Sequence, residues 1–111
     1  MSSLFTKIIR GELPCEKVFE DEQIIAFKDI APAAPVHILI VPKKEIPNLQ
    51  ALQPEDYPLL GAVVRVAQKL AEEFDITDGY RLVTNSGSEA GQIIFHLHFH
   101  LLGGRRLHTL G

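Results

Sequence analysis

Apolar and polar positions change period several times along the chain, and each change marks an element. Leu4, Phe5, Ile8 and Ile9 fall on one side of a helix that Gly11 closes, which predicts a short helix over Leu4 to Arg10. Lys17 to Glu20 and Ile24 to Lys28 read as two strands around the polar turn Asp21-Glu22-Gln23. Val36 to Val41, rich in β-branched residues and stopped by Pro42, reads as a third. A connection marked by Pro47 and Pro54 leads to the one long helix, Glu55 to Phe74, with Pro58 tolerable near its start. Tyr80 to Thr84 is a fourth strand, Asn85 to Gln92 a polar loop bearing glycine, and Ile94 to Leu102 a fifth strand ended by Gly103-Gly104. Strands in runs with helices set apart indicate an α+β domain with a mainly antiparallel sheet.

The long helix carries more apolar surface than one contact needs. Leu59, Leu60, Val63, Val64, Val66, Ala67, Leu70, Ala71 and Phe74 cover an arc of roughly 160°, against the ~100° of an ordinary surface helix. Either the helix is sunk deep in its own core, or part of the arc forms a homodimer interface.

Composition narrows the class. The 111 residues suit one domain over residues 1–111, and 46% hydrophobic with 23% charged residues is the balance of a globular chain. A net charge of -3 argues against a general nucleic-acid binder, but a small anionic ligand held by a few local donors stays possible. The single cysteine, Cys15, fits a reducing compartment and reads as an inert small residue. The opening segment, broken by Lys7, Arg10 and Glu12, is neither a signal peptide nor a membrane span, so a cytoplasmic protein with no membrane partner is expected. Lys43-Lys44 reads as a solvated pair and His108 as tail.

The segment Phe95-His96-Leu97-His98-Phe99-His100-Leu101-Leu102 carries the chemistry. In a strand, His96, His98 and His100 share one face, while Leu97, Phe99 and Leu101 pack on the core from the other. Three of the chain's five histidines on one face is more than structure needs. One reading is a metal site. Successive histidines are about 6.6 Å apart along the strand and the outer pair about 13 Å, so at most two reach one ion, with His37 a possible addition. The other reading is nucleophilic catalysis. Imidazole, with an ordinary pKa of about 6.5, is neutral near pH 7. It attacks well when a partner holds the proton on its far nitrogen. Flanking rings then donate to a phosphorus centre as charge builds on its oxygens.

The pattern His-φ-His-φ-His-φ-φ, where φ is apolar, resembles the signature of the histidine-triad (HIT) superfamily. The resemblance runs over nearly the whole chain: Phe5-Thr6-Lys7-Ile8-Ile9 with Pro14, Phe27-Lys28-Asp29-Ile30-Ala31-Pro32, Ala34-Pro35-Val36-His37, Pro42-Lys43-Lys44, Gly91-Gln92 and Leu102-Gly103-Gly104 look like its Hint branch. His100 stands where related nucleotidyltransferases carry glutamine, and Gly103-Gly104 differs from the dinucleoside-polyphosphate branch. The resemblance implies a HIT-like fold of about five strands with one long and one short helix. It implies hydrolysis of purine nucleoside 5'-phosphoramidates (adenosine or guanosine) through a nucleotidyl-His98 intermediate, releasing an AMP- or GMP-type product, with no metal or cofactor. Within it, His100 would contact the phosphate and help the leaving group, and His96 and His37 would orient His98. Asp29 resembles the acid that meets the ribose hydroxyls, and Phe5, Ile8, Phe27, Ile30 and Leu39 the apolar slot for the base. Asn85 with the backbone of Gly91, Gln92 and Ile93 resembles the phosphate-side wall. Read without the resemblance, Asp29 is a turn residue and the apolar set is plain core.

Two departures stand out. Many Hint relatives carry a polar residue where this chain has Ile93, which offers no side-chain hydrogen bond to a leaving group. The tail, ending at Gly111, is also short for a segment that in relatives reaches the partner subunit's site. Two rival functions fit the same residues: a dinucleoside polyphosphate hydrolase, and a non-catalytic nucleotide-binding or scaffold protein.

Overall fold

A computed structural model describes residues 3–110, so the end of the tail at Gly111 lies outside the described residues. The short helix α1 spans Leu4–Ile9. The Ser3 side chain caps it by accepting from the Thr6 N–H at 3.1 Å. At its other end, Gly11 N–H reaches the Ile8 carbonyl and Glu12 N–H the Lys7 carbonyl, which closes the last turn. Strands β1 (Lys17–Glu20) and β2 (Ile24–Lys28) are joined by a turn in which Asp21 Oδ1 accepts from the N–H groups of Gln23 and Ile24, both at 2.8 Å. Strand β3 (Val36–Pro42), helix α2 (Tyr57–Glu73), and strands β4 (Tyr80–Val83) and β5 (Phe99–Gly103) follow. All pairings are antiparallel, in the order β1-β2-β3-β5-β4, so the expected five-stranded α+β arrangement with one long and one short helix is present.

Some boundaries differ from the sequence reading. The long helix begins at Tyr57, because Pro54–Asp56 forms a separate 3-10 turn before it. Lys43 and Lys44, read as solvated, each meet a carboxylate: Lys43 meets Glu20 at 2.7 Å, and Lys44 meets the buried Asp56.

The largest correction concerns the fifth strand, which starts at Phe99 rather than Ile94. The ladder to β3 ends at the pair Ile40 and Phe99 because the next partners are occupied. Pro42 has no N–H, and its carbonyl takes the His96 ring, while the Leu97 N–H goes to the Ile46 carbonyl. Alternation nevertheless persists through this stretch, as Leu97, Phe99 and Leu101 all join one core cluster.

The sheet has two unlike faces. On one, Ile24, Ala26, Ile38, Ile40, Leu97, Phe99 and Leu101 pack against Ala62, Val63, Val66, Ala67, Leu70 and Ala71 of α2. On the other, Ile25, Phe27, Leu39 and Val41 meet Phe5 of α1, with Ile8, Ile9, Cys15 and Ile94 partly buried at the margin. The α2 arc is thus buried along its middle, while Tyr57 and Val64, two turns apart, stay more than 40% exposed on its outer side. Gly103 marks where the chain after α2 touches β5: a Cβ there would stand 2.9 Å from Ile76 Cδ1. Among the described residues no helix is long and apolar enough to cross a membrane.

Candidate active site

Six residues of α1 cannot cover the face they pack on, and a cavity of about 500 Å3 remains beside the helix. Phe5, Ile8, Phe27 and Leu39 form its apolar wall, and Asp29, Ile30, Asn85, Gly91, Gln92, Ile93, His98 and His100 also line it. Phe5, Phe27 and Leu39 belong to the core and to the cavity at once, so the two readings of these residues coexist. Ile30 is 99% exposed and Ile93 88%, with little of the protein packed on either.

Strand register gathers the polar residues. Leu39 pairs with His100, and His37 with Leu102, which makes His37 and His100 diagonal neighbours on one face. Asp29, one residue past β2, donates its N–H to the His37 carbonyl and so lies opposite His37 on that face. Asp29, His37 and His100 therefore stand in line across three strands. His37 Nε2 is 2.9 Å from His100 Nδ1 and 3.4 Å from Asp29 Oδ2. His37 thus touches His100 and not, as its expected orienting role suggests, His98. That role falls to the His96 carbonyl, 2.7 Å from His98 Nδ1.

Backbone partners settle which nitrogen of each ring carries the proton. The Ala33 N–H donates to His37 Nδ1 at 3.0 Å, so neutral His37 holds its proton on Nε2 and presents it to His100 Nδ1. His100 then carries its own proton on Nε2. His98 donates its Nδ1 proton to the His96 carbonyl, which leaves Nε2 bare. His96 donates from Nε2 to the Pro42 carbonyl at 2.7 Å. Among the described residues, the cavity is accordingly lined by one ring with an unpartnered lone pair and a neighbour, at 5.2 Å between centroids, with an unpartnered N–H. That is the complement of a phosphoryl group: a nucleophile for phosphorus and a donor for oxygen or a leaving atom.

Burial keeps these rings neutral. It lowers the His98 pKa below the ordinary 6.5, against the opposing pull of the His96 carbonyl. It pushes His100 down to about 4, with the adjacent His98 and His37 adding to the effect. His37 is lowered by burial and partly restored by Asp29.

Among the described residues, Asp29, His37 and His100 also bring three potential ligand atoms within 4.8 Å of one another. They do not fit a metal ion. An ion would need the lone pair of His37 Nε2, and the Ala33 N–H on Nδ1 puts the ring proton on that very atom. The ring of His96 is spoken for by Pro42 and by Ser3, 3.3 Å from Nδ1, and does not reach this group.

The loop on the far wall is shaped from behind. Gln92 is buried; its Oε1 accepts from the Gly87 N–H, and its Nε2 donates to the carbonyls of Pro47 and Ile94. Its side chain therefore pins the loop, and Gly91, at φ 93°, turns the chain so that backbone faces the cavity.

Residues that the sequence reading passed over also belong here. Thr84 Oγ1 donates to the His98 carbonyl at 2.7 Å, so the nucleophile candidate is tied on both sides of its Cα. Leu13, Pro14 and Cys15 line the cavity although Cys15 is remote from the histidines in sequence. Burial raises the Cys15 pKa, so its thiol stays protonated near pH 7. Ser3, three residues before Thr6 at the head of an apolar helix, carried a readable capping signal; Thr84 and Cys15 carried none.

Known proteins resemble this chain in sequence and fold. The HIT domain family matches residues 10–107. An uncharacterised HIT-like protein of Synechocystis is 52% identical over 103 residues, which cover 93% of this chain and 90% of that protein. A HIT family hydrolase from Legionella pneumophila superposes with a TM-score of 0.92 at 47% identity, covering 95% of each chain. A histidine triad nucleotide-binding protein from Candida albicans superposes with a TM-score of 0.82 at 32% identity, covering 99% of this chain and 86% of the other. With His98 and His100 of the His-φ-His-φ-His-φ-φ run lining a cavity on a five-stranded antiparallel sheet, the chain belongs to the HIT domain family and has its fold.

Proposed function

We propose that this protein is a hydrolase that cleaves the P–N bond of purine nucleoside 5'-phosphoramidates through a nucleotidyl-His98 intermediate. The observation that carries this reading is the bare Nε2 of His98 beside the Nε2–H of His100 at one cavity. The His98 Nε2 lone pair forms the P–N bond to the ring as the bond to the substrate amine breaks. Water then attacks the same phosphorus as the bond to His98 Nε2 breaks and returns its electron pair to the ring, the hydroxide ending on the nucleoside monophosphate and the proton balancing the one gained by the amine. His100 donates its N–H to the phosphoryl oxygens or to the leaving atom. The apolar wall of Phe5, Ile8, Phe27 and Leu39 suits a purine, and Asp29 at the rim suits ribose hydroxyls. The Legionella relative being a hydrolase and the Candida relative nucleotide-binding support the same class of reaction.

The experiment is a fluorogenic adenosine phosphoramidate assay of wild type and His98→Ala. Release of amine and monophosphate by the wild type, and its loss in the variant, is the expected result. Equal activity of the two overturns the nucleophile, and splitting of a dinucleoside polyphosphate in preference to the amidate overturns the substrate class.

The protein is further proposed to be a homodimer through the outer side of α2. Tyr57 and Val64 are the exposed apolar residues of that helix, spaced by two turns as one stripe. Light scattering at micromolar concentration is expected to give twice the chain mass, and a monomer refutes it.

A further inference from the structure

The ring of His96 is 1% exposed and has no atom at the cavity, yet its proton arrangement bears on His98. We propose that Ser3 is a positioning residue for His98, acting through His96: its hydroxyl donates to His96 Nδ1 and holds that ring, and the carbonyl beside it, in the form that receives the His98 proton. The inference rests on His98 being the nucleophile.

The direction of every proton in this group follows from its neighbours. The Pro42 carbonyl can only accept, so His96 carries its proton on Nε2 and its Nδ1 is an acceptor. Among the described residues, the only hydroxyl placed against that Nδ1 is Ser3 Oγ, at 3.3 Å. Ser3 Oγ also accepts from the Thr6 N–H, and Thr6 Oγ1 lies 3.2 Å away. The Thr6 proton goes to Glu45 Oε1 at 2.9 Å, so Thr6 Oγ1 and His96 Nδ1 both face Ser3 Oγ as acceptors. Thr6 Oγ1 is already bonded through its own proton, whereas the ring nitrogen has no other donor among the described residues, and the proposal gives it the Ser3 proton. A hydroxyl is therefore needed at residue 3 for two tasks at once: accepting from the helix and donating to the ring.

The same contact fixes a side chain that touches the nucleophile. Phe5, one residue beyond the first helical position, sets its ring edge-on to both His96, at 6.2 Å, and His98, at 4.8 Å between centroids. Pinning the start of α1 to His96 thus sets the wall against which His98 stands.

Substitutions separate this role from simple helix capping. Ser3→Thr keeps both cap and donor. Ser3→Asp keeps the cap, since aspartate caps as well as serine, but brings no proton. Its carboxylate facing Nδ1 favours a second proton on His96, placing a buried cation next to His98. Ser3→Ala loses both functions.

Nitrogen-15 NMR of the imidazole rings, with kcat and KM on the phosphoramidate, tests the proposal. Wild type and Ser3→Thr should show neutral His96 protonated on Nε2, with kcat equal within a few fold. Ser3→Asp should show His96 protonated on both nitrogens, with kcat lowered about tenfold, the worth of one typical hydrogen bond, and KM nearly unchanged. Full kcat and an unaltered His96 signal in Ser3→Asp overturn it. So does a wild-type spectrum with the His96 proton on Nδ1, a result that needs no variant to fold. An inactive wild type with the expected spectra would fault the proposed reaction instead, leaving the Ser3 contact intact.

Discussion

The two faces of the sheet are made of alternate residues of the same strands, and they are finished differently. On one, the 17 residues of α2 lie across β3 and its neighbours and close a dry core in which Ile24, Ile40, Leu70 and Leu101 are fully buried. On the other, the six residues of α1 cover only part of the surface, and the uncovered part is the cavity with His98 and His100 at its wall. A helix of six residues spans about 9 Å, against about 25 Å for one of 17, so the shorter one cannot roof a five-stranded sheet. The same alternation thus yields structure where a long helix is available and a site where it is not.

Substitutions on the two faces should therefore fail in different ways. The largest effect belongs to the open face: His98→Ala is expected to lower the phosphoramidate rate by several orders of magnitude while keeping a cooperative thermal transition. Unfolding of the variant would undo the contrast. On the closed face, Leu70→Ala is expected to cost about 2–5 kcal/mol of stability, read by chemical denaturation. The KM of its folded fraction should stay unchanged, and an altered KM would mean that α2 shapes the site.

Acid sharpens the contrast next. Below pH 6.5 an unfolded chain takes up a proton on residue 100 that the folded site refuses until about pH 4. The unfolded state binds more protons in that window, so stability drops as pH falls through it and rises again with pH. Because burial also lowers His98, the acid inflection of kcat/KM should lie below the ordinary 6.5. An inflection at or above 6.5 would contradict the burial of the ring. The smallest effect is expected at the rim: Ile93→Ser, at a residue 88% exposed, should leave stability within about 0.5 kcal/mol. It should change the rate only a few fold, most for amines able to bond the new hydroxyl. A large loss would place Ile93 deeper in the reaction than its exposure indicates.

Much of this was legible in the residues. The strands Lys17–Glu20 and Ile24–Lys28 with their aspartate turn, and the face shared by the three histidines, all follow from short-range periodicity. The early start assigned to the fifth strand did not hold, because ladder ends depend on the partner's donors: Pro42 has none, and its carbonyl went to a side chain. The grouping of site residues was only half readable. That Asp29 and His37 belong near the triad was implied by resemblance. That His37 serves His100 rather than His98 depends on the register of β3 on β5, which no local pattern encodes. Cys15 reads as an isolated residue until the chain after α1 folds back along the cavity.

Alternation and helical period are properties of a few neighbouring residues, so the chain's order was enough to settle which residues face inward, which three rings share a side, and where α1 begins. The proton on each ring was not among these properties. It depends on an Ala33 N–H, a Pro42 carbonyl and a Ser3 hydroxyl that reach the rings from segments distant in the chain. Hydrogen bonds act over about 3 Å, and only the folded chain brings such distant partners that close.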